Sequence, residues 1–482
     1  MSAIATSTSP DTTAPTGITR YPKRWLVLAI VLVAEVMDLI DGTIVNVAAP
    51  SIHRDLGGSA ATLQWFGASY TLAFAVLLIT GARLGDLIDR RRLFLIGIVG
   101  FTAASIACAA ASSPEFLIVV RAIQGGFGAL LIPQGFGMIK QVFADDETQK
   151  AFAAFGPVIG LSAVASPIIG GALTSGDLFG LGWRAIFLVN VPLGIVGLIG
   201  SLRVLPKSQP VPGTRLDPVG VVIATLAAFA VIYPVVQGRE LGWPVWVFVM
   251  FGLGLAGFGA FALYERRHGD RALIAPSLLR NGTYTSGLVV VLCFFAAMIG
   301  LNLVLSLFCQ IGEGFSPLKT GLVLAPFALG VAITAGPSYP LAQRFGRVSM
   351  QVGFAVMAAG LVLLAILVDG AVAHVSIWRL VPGELLAGAG MGLALPPLFD
   401  FILAGVREHE IGSASGVLNA VQQFSSSVGI AVFATIFFAF IDAKHLPTAA
   451  MTWTTLFSLV PLALAFLAVF RLPQRARETP AS

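Results

Sequence analysis

Charge is scarce in this sequence. Of its 482 residues, only 11% are Asp, Glu, Lys or Arg, less than half the share in a soluble globular chain. Hydrophobic residues make up 57%. No water-soluble core holds so much apolar side chain with so little charge, so the bilayer must solvate much of the chain. Histidine and cysteine are few, at 5 and 3. His53, His268, His374, His409 and His445 fall in loops or at the ends of apolar runs, without ligand spacing. Cys108, Cys293 and Cys309 fall inside apolar runs and make neither a metal-type spacing nor a disulfide framework. No metal and no cofactor are therefore expected. A Gly-x-x-x-x-Gly-Lys-Ser/Thr loop is missing as well, which disfavours ATP as the energy source. The net charge of +5 comes from basic residues spread over short loops. They form no patch, and nucleic acid is rejected as a partner. The first 19 residues have no basic residue and are rich in Ser, Thr, Pro and Ala. They read as part of a cytosolic tail, 1–24, rather than a secretory signal. Residues 472–482 read as a second cytosolic tail.

What is present is long apolar runs. A spanning helix needs roughly 20 apolar residues. Fourteen runs qualify, at about 25–49, 61–81, 92–111, 115–138, 151–173, 184–204, 217–237, 245–264, 283–309, 320–340, 348–368, 376–403, 411–440 and 452–471. The chain thus reads as an all-α integral membrane protein with 14 transmembrane helices. The positive-inside rule tests that count. With the N-terminus in the cytosol and strict alternation, inner segments hold 22 of the 29 Lys and Arg, outer ends hold 6, and Arg121 lies within a span. One missed span in the middle would destroy this split. An even number of spans, with both termini cytosolic, is expected in a cell membrane.

The chain also repeats itself. Arg121, Gly125 and Pro133 in the fourth run match Glu384, Gly388 and Pro396 in the twelfth, at the same spacings. The loop Arg83-Leu84-Gly85-Asp86-Leu87-Ile88-Asp89-Arg90 after the second run has a counterpart after the tenth, Pro340-Leu341-Ala342-Gln343-Arg344-Phe345-Gly346-Arg347. Equivalent features eight helices apart predict two six-helix bundles, 25–204 and 283–471, with a two-helix insert at 217–264. Duplicated halves are how many secondary carriers are built, with the site at the midplane between them.

Charge inside the bilayer marks candidate sites. Asp38 and Asp41 fall near the middle of the first span, three apart and so on neighbouring faces. An ionised carboxylate there costs several kcal/mol unless paired, hydrated or protonated. A poorly hydrated carboxyl can take up and release a proton near neutral pH, as a proton-coupled carrier requires. The plain alternative is that each Asp bonds a neighbouring helix. Glu35 is a further candidate of the same kind. Arg121 lies at a depth similar to Asp41, which allows an ion pair or a contest for one proton. Glu384, its counterpart in the second half, could draw a cationic substrate or serve a structural bond. Asp400 lies near a span end, where a helix-end role is expected. Asp86, with Arg90, Arg91 and Arg92, can link two helix ends by charge-assisted bonds that hold one state closed. Simple anchoring is the alternative there. Arg347 belongs to the counterpart loop. In the fifth span, Gly156-Pro157, Gly160, Ser166-Pro167 and Gly170-Gly171 read as a small-residue seam that slides, or as static close packing.

These residues resemble a known family. Leu39-Ile40-Asp41-Gly42-Thr43-Ile44-Val45-Asn46-Val47-Ala48-Ala49-Pro50 is similar to the first-helix signature of the fourteen-helix drug/proton antiporter branch of the major facilitator superfamily, the multidrug and quaternary-ammonium exporters. Arg121-Ala122-Ile123-Gln124-Gly125 resembles the superfamily's fourth-helix motif, whose Arg is implicated in proton coupling. Trp183 to Pro192, and Gly412-Ser413-Ala414-Ser415-Gly416 with Asn419, also look typical of the branch. Three positions depart from the pattern: Ala82 and Asp89 stand where the loop motif has Gly, and Ser166 where the fifth-helix motif has Gly. Asp38 lies outside the usual signature.

The resemblance implies the superfamily fold and a proton-coupled multidrug efflux antiporter exporting amphipathic, cationic compounds by alternating access. Asp41, Asp38 and Arg121 would serve proton coupling, and Glu384, Asp38 and Glu35 substrate binding. Asp86, Arg90, Arg91, Pro157, Pro167, Gly170, Gly171 and Arg347 would serve conformational gating. The expected partners are a small-molecule substrate, protons and the lipid bilayer, with the protein a monomer. A dedicated exporter of an antibiotic or other metabolite is the first alternative. A non-transporting membrane scaffold or receptor is the alternative from another class, and an enzyme is the least favoured.

Overall fold

The computed structural model describes residues 21–475 except 145, 146, 148–150, 152, 153, 178, 179, 209–215, 268–273, 275, 370–374, 408 and 409. The described chain is helical, and each apolar run meets one long helix. In chain order these are α1 Arg24–Leu56, α2 Ala60–Leu87, α3 Arg90–Ala109, α4 Pro114–Val142, α5 Phe155–Ser175 and α6 Gly182–Val204. Two helices follow, α7 Pro218–Gln237 and α8 Val245–Arg267. The last six are α9 Gly282–Gly312, α10 Pro317–Phe345, α11 Val348–Asp369, α12 Ile377–Leu403, α13 Ile411–Asp442 and α14 Pro447–Val469. Among the described residues, twelve of them (all but α1 and α5) are long and apolar enough to cross a membrane. This is a multi-pass membrane protein. A spanning helix satisfies its own backbone, which is why lipid tolerates it.

Polar side chains set where the helices begin. The Asp89 carboxylate accepts from Arg91 N, Ser113 Oγ from Phe116 N, Asp217 from Gly220 N and Ser316 Oγ from Lys319 N. Each satisfies a backbone donor that the first turn leaves free. Asp89 thus explains its own departure from the usual glycine. Its φ of −180° is extended backbone, open to any residue, and the carboxylate gains a cap.

The first six helices pack on one another, and so do the last six; the two sets meet along α2–α13 and α5–α10. Under the repeat these two interfaces exchange, as facing related halves require. Toward the Leu56 end of α1 the sets are bonded directly. Thr71 and Ser427 share a hydrogen bond of 2.6 Å, Ser306 Oγ donates to Asn46 O at 2.8 Å and Gln310 Nε2 to Val47 O at 2.7 Å. There α5 and α10 touch through glycine: a Cβ on Gly171 would lie 2.5 Å from Pro317 O, and one on Gly321 would lie 2.2 Å from Pro167 O.

The pair α7–α8 lies beside both sets. α7 contacts α2 and α13, while α8 is the least buried span, with 17% of its most apolar stretch covered against 67% in α2 and α9. The turn after α7 reaches both sides. Glu240 accepts from Ala61 N at 2.7 Å, and Arg239 pairs with Asp442.

Candidate functional site

Mid-bundle, α1, α3, α4 and α6 enclose a polar cluster in apolar surroundings. Asp41 and Arg121 are both fully buried and form an ion pair. The other Asp41 oxygen accepts from Gln124 Nε2 at 2.9 Å and from Asn190 Nδ2 at 2.7 Å. Both amides also donate to Ser105 Oγ, at 2.8 Å and 3.2 Å. Arg121 Nη1 donates to Gln124 Oε1 at 2.8 Å, and its Nε to Phe66 O of α2 at 3.1 Å. Its guanidinium lies over the Tyr70 ring, 4.3 Å from the centroid. The Tyr70 hydroxyl in turn donates to Asp38, which is also buried. Burying two charges is costly, and their mutual attraction offsets it only when the remaining polar atoms are satisfied. Here α4 and α6 supply donors to both Asp41 oxygens, while Arg121 Nη2 and Asn190 Oδ1 stay buried without a hydrogen-bond partner among the described residues.

The sequence-derived candidates fall into separate places. Asp41, Arg121 and Asp38 gather in this cluster. Glu35, one turn from Asp38, is half-buried and has no hydrogen-bond or ionic partner among the described residues. Glu384 lies in the other half, on α12, beside Asn302 and Phe327. Gln124, Asn190, Ser105 and Tyr70 received no role from the sequence. Gln124 was accessible to reasoning, since it sits three residues from Arg121 on the same helix face. Asn190, Ser105 and Tyr70 come from other helices, and only the fold brings them in.

The gating candidates act locally. Asp86 pairs with Arg90 across the α2–α3 junction. A Cβ on Gly137 of α4 would overlap the Arg90 guanidinium, at 1.2 Å from Nη1. Arg91 Nη2 donates to Leu202 O at 2.7 Å, and Asp89 accepts from Ser208 N and Oγ at 3.1 Å and 2.8 Å. All these links lie within the first six helices or the segment just after them. Arg347 donates to Phe470 O at 2.7 Å and Leu472 O at 2.8 Å, gripping the end of α14. Pro167, Gly170 and Gly171 lie in the α5 seam, where a Cβ on Gly170 would lie 2.6 Å from Ile44 Cγ1. Ser166 hydrogen-bonds to Thr43 Oγ1 and donates to Ile40 O at 3.2 Å, so its hydroxyl ties α5 to α1 where glycine could not. The side chain of Pro157 lies outside the described residues.

Comparison with known proteins agrees with this architecture. The sequence signature of the Major Facilitator Superfamily matches residues 31–430. The chain is 46% identical over 439 residues to a probable actinorhodin transporter of Streptomyces coelicolor, covering 90% of this chain and 76% of that protein. It is 35% identical over 422 residues to the puromycin resistance protein pur8 of Streptomyces alboniger, covering 86% and 82%. A crystal structure of a bacterial homologue of the human lysosomal transporter Spinster, inward-facing and unoccupied, superimposes with a TM-score of 0.63 at 16% identity, covering 96% of this chain and 100% of that one. That likeness concerns the fold alone. The chain belongs to the Major Facilitator Superfamily and is one of its multi-pass membrane transporters.

Proposed function

We propose that this protein exports an antibiotic or similar amphipathic organic compound from the cell in exchange for protons. All fourteen long helices cross the membrane in this reading, with both termini cytosolic and the chain working as a monomer in the cell membrane. The observation that carries it is the fully buried Asp41–Arg121 pair, held in mid-bundle by Gln124 and Asn190. A carboxylate that holds a guanidinium must lose that partner when it takes a proton. Protonation of Asp41 frees Arg121, and Arg121 is bonded to the α2 backbone at Phe66. Proton binding is thereby tied to the position of a helix that meets the other half. A proton moving inward gains about 2.3 kcal/mol per 100 mV, and differential binding to two states converts that gain into uphill export. In a state with an opened cavity, Asp38, Glu35 and Glu384 would be the carboxyl groups that a cationic substrate meets.

The names of the relatives favour one refinement, export of a dedicated antibiotic, because the 46% identical protein is a probable actinorhodin transporter. Both readings are tested in proteoliposomes with an imposed pH gradient. Ethidium and actinorhodin serve as probes, with wild type compared against Asp41→Asn. Gradient-driven flux of either probe that the substitution abolishes supports proton-coupled export, and the transported probe selects between the readings. Equal flux in both proteins removes Asp41 from the coupling path. If folded protein moves neither probe, general cation efflux fails, and the scaffold reading gains ground.

A further inference from the structure

Glu384 is a second buried carboxyl, unlike the first. It lies two turns into α12 and is 5% exposed. Among the described residues it has neither a hydrogen-bond nor an ionic partner. It faces a small space of about 20 Å³ lined by Met298, Leu301, Asn302 and Leu305 of α9, Phe327 of α10 and Leu361 of α11. A space of this size holds about one water and no organic cation. Among the described residues, the helices packed against α12 place no cation beside it. α10 and α11 present Phe327 and Leu361, and the titratable neighbour on α9 among the described residues is the Cys309 thiol.

The repeat places this carboxyl where the first half holds Arg121. A Cβ on Gly125 would lie 2.2 Å from Tyr70 O of α2, and one on Gly388 would lie 1.9 Å from Phe327 O of α10. The two glycines press α4 and α12 against equivalent helices, so Arg121 and Glu384 occupy equivalent positions, one turn further toward each helix start. In the first half the charge at that position has a counter-ion. In the second it has none, and its neighbour on α9 is the neutral amide of Asn302. An ionised carboxylate with no counter-charge in apolar surroundings is heavily penalised, whereas the neutral acid needs only a hydrogen-bond acceptor such as one water or the Asn302 carbonyl.

We infer that Glu384 is a second proton-binding site, separate from the Asp41 centre and occupied by a proton in this closed arrangement. The inference rests on the proton-exchange reading only for what the proton does: each half of the protein would then carry a titrating carboxyl. Occupancy itself is tested without transport. The purified protein in lipid nanodiscs is examined by infrared spectroscopy at neutral pH, for wild type, Glu384→Gln, Glu384→Asp and Asp41→Asn. The expected result is a protonated-carboxyl carbonyl band, shifted by deuterium exchange, that is present in wild type and Asp41→Asn and missing in Glu384→Gln. Glu384→Asp keeps the band at an altered frequency and carries the test should the amide variant lose its helical content. Superimposable spectra of wild type and Glu384→Gln overturn the inference. So does a band that vanishes with Asp41→Asn and survives Glu384→Gln. Failure of proton-driven export would appear in the flux assay while leaving this band in place, so the two ideas fail separately.

Discussion

The Asp41–Arg121 pair makes a prediction whose size follows from burial. Both side chains are fully buried, so removing one leaves the other as an uncompensated charge inside the membrane domain. Breaking a buried pair from one side costs about 3–5 kcal/mol. Arg121→Met discards the guanidinium but keeps an apolar stem under the Tyr70 ring, and Asp41 retains only the Gln124 and Asn190 donors. Asp41→Asn preserves the shape and leaves Arg121 charged beside Gln124 and the Phe66 carbonyl. The double variant removes both charges, and replacement of whole buried pairs by neutral groups is often close to neutral. Each single variant should lose about 3–5 kcal/mol, and the double variant less than about 2 kcal/mol. The implied coupling exceeds the 0.5–3 kcal/mol usual for contacting residues by roughly the cost of an unpaired charge. Equilibrium unfolding of the four proteins in one detergent, or steric trapping in lipid, measures the cycle. Additive losses would refute the reasoning, because they would mean that each charge is paid for independently of its partner. Singles within about 1 kcal/mol of wild type would refute it too, by showing that water reaches the cluster.

Two smaller perturbations are read the same way. Burial pushes the Asp89 carboxyl up, but hydrogen bonds from Ser208 Oγ and N and from Arg91 N, with Arg92 nearby, outweigh it and hold the group below the usual carboxylate range. Its contribution is therefore present above the unfolded value of about 3.9 and is lost as pH falls through the lower folded value. Asp89→Asn should cost about 1 kcal/mol at neutral pH, and the gap to wild type should close on acidification below pH ~4; a gap indifferent to pH counts against the assignment. Gly171→Ala would place a methyl 2.5 Å from Pro317 O. It should force α5 from α10 at the cost of about 1–3 kcal/mol and raise thiol labelling of a cysteine introduced nearby at the Leu56 end; unchanged labelling would show that the seam has slack.

Much of the fold was legible because membrane helices announce themselves. The apolar runs exceed roughly 20 residues, and their positive ends alternate, so helix existence needed no tertiary information. Asp41 and Arg121 stood out for the same reason, as charge where charge is penalised. What stayed hidden was satisfaction. Asn190 and Ser105 are ordinary polar residues on α6 and α3; Asn190 reaches the Asp41 carboxylate across the bundle, and Ser105 accepts from the two amides that bond it. Ser166 looked like a defect in a glycine motif, yet its hydroxyl makes the α5–α1 bond that glycine cannot. The loop arginines suggested charge-assisted links between helix ends, and Arg90 makes one with Asp86. In the structure they grip neighbouring helix ends within one half, since a long flexible side chain at a junction finds the nearest free carbonyl, as Arg347 does at Phe470 and Leu472.

One stretch of α2 ties the buried pair to the contact between halves. Residues 66–71 face two ways. Phe66 O accepts from Arg121 and Tyr70 donates to Asp38 on the inner side, while Ala68 O and Thr71 bond to Ser427 of α13 on the other. Any shift of Arg121 that follows protonation of Asp41 must move, or release, the same turn that holds α13. A demonstrated coupling of this kind needs an element with two arrangements that both sites bias, and this turn is the nearest candidate. Ser427→Ala deletes the hydroxyl that serves both Thr71 and Ala68, removing about 1 kcal/mol from the closed arrangement, a shift of roughly fivefold in the balance of states (RT ln 5). Spin labels placed on α2 and α13 near the Leu56 end should report more of the separated population in Ser427→Ala than in wild type, and Asp41→Asn, which mimics the protonated acid, should move the same distance in the same direction. Distances that respond to Ser427→Ala but not to Asp41→Asn would break the link between the proton site and the gate while leaving the gate itself intact.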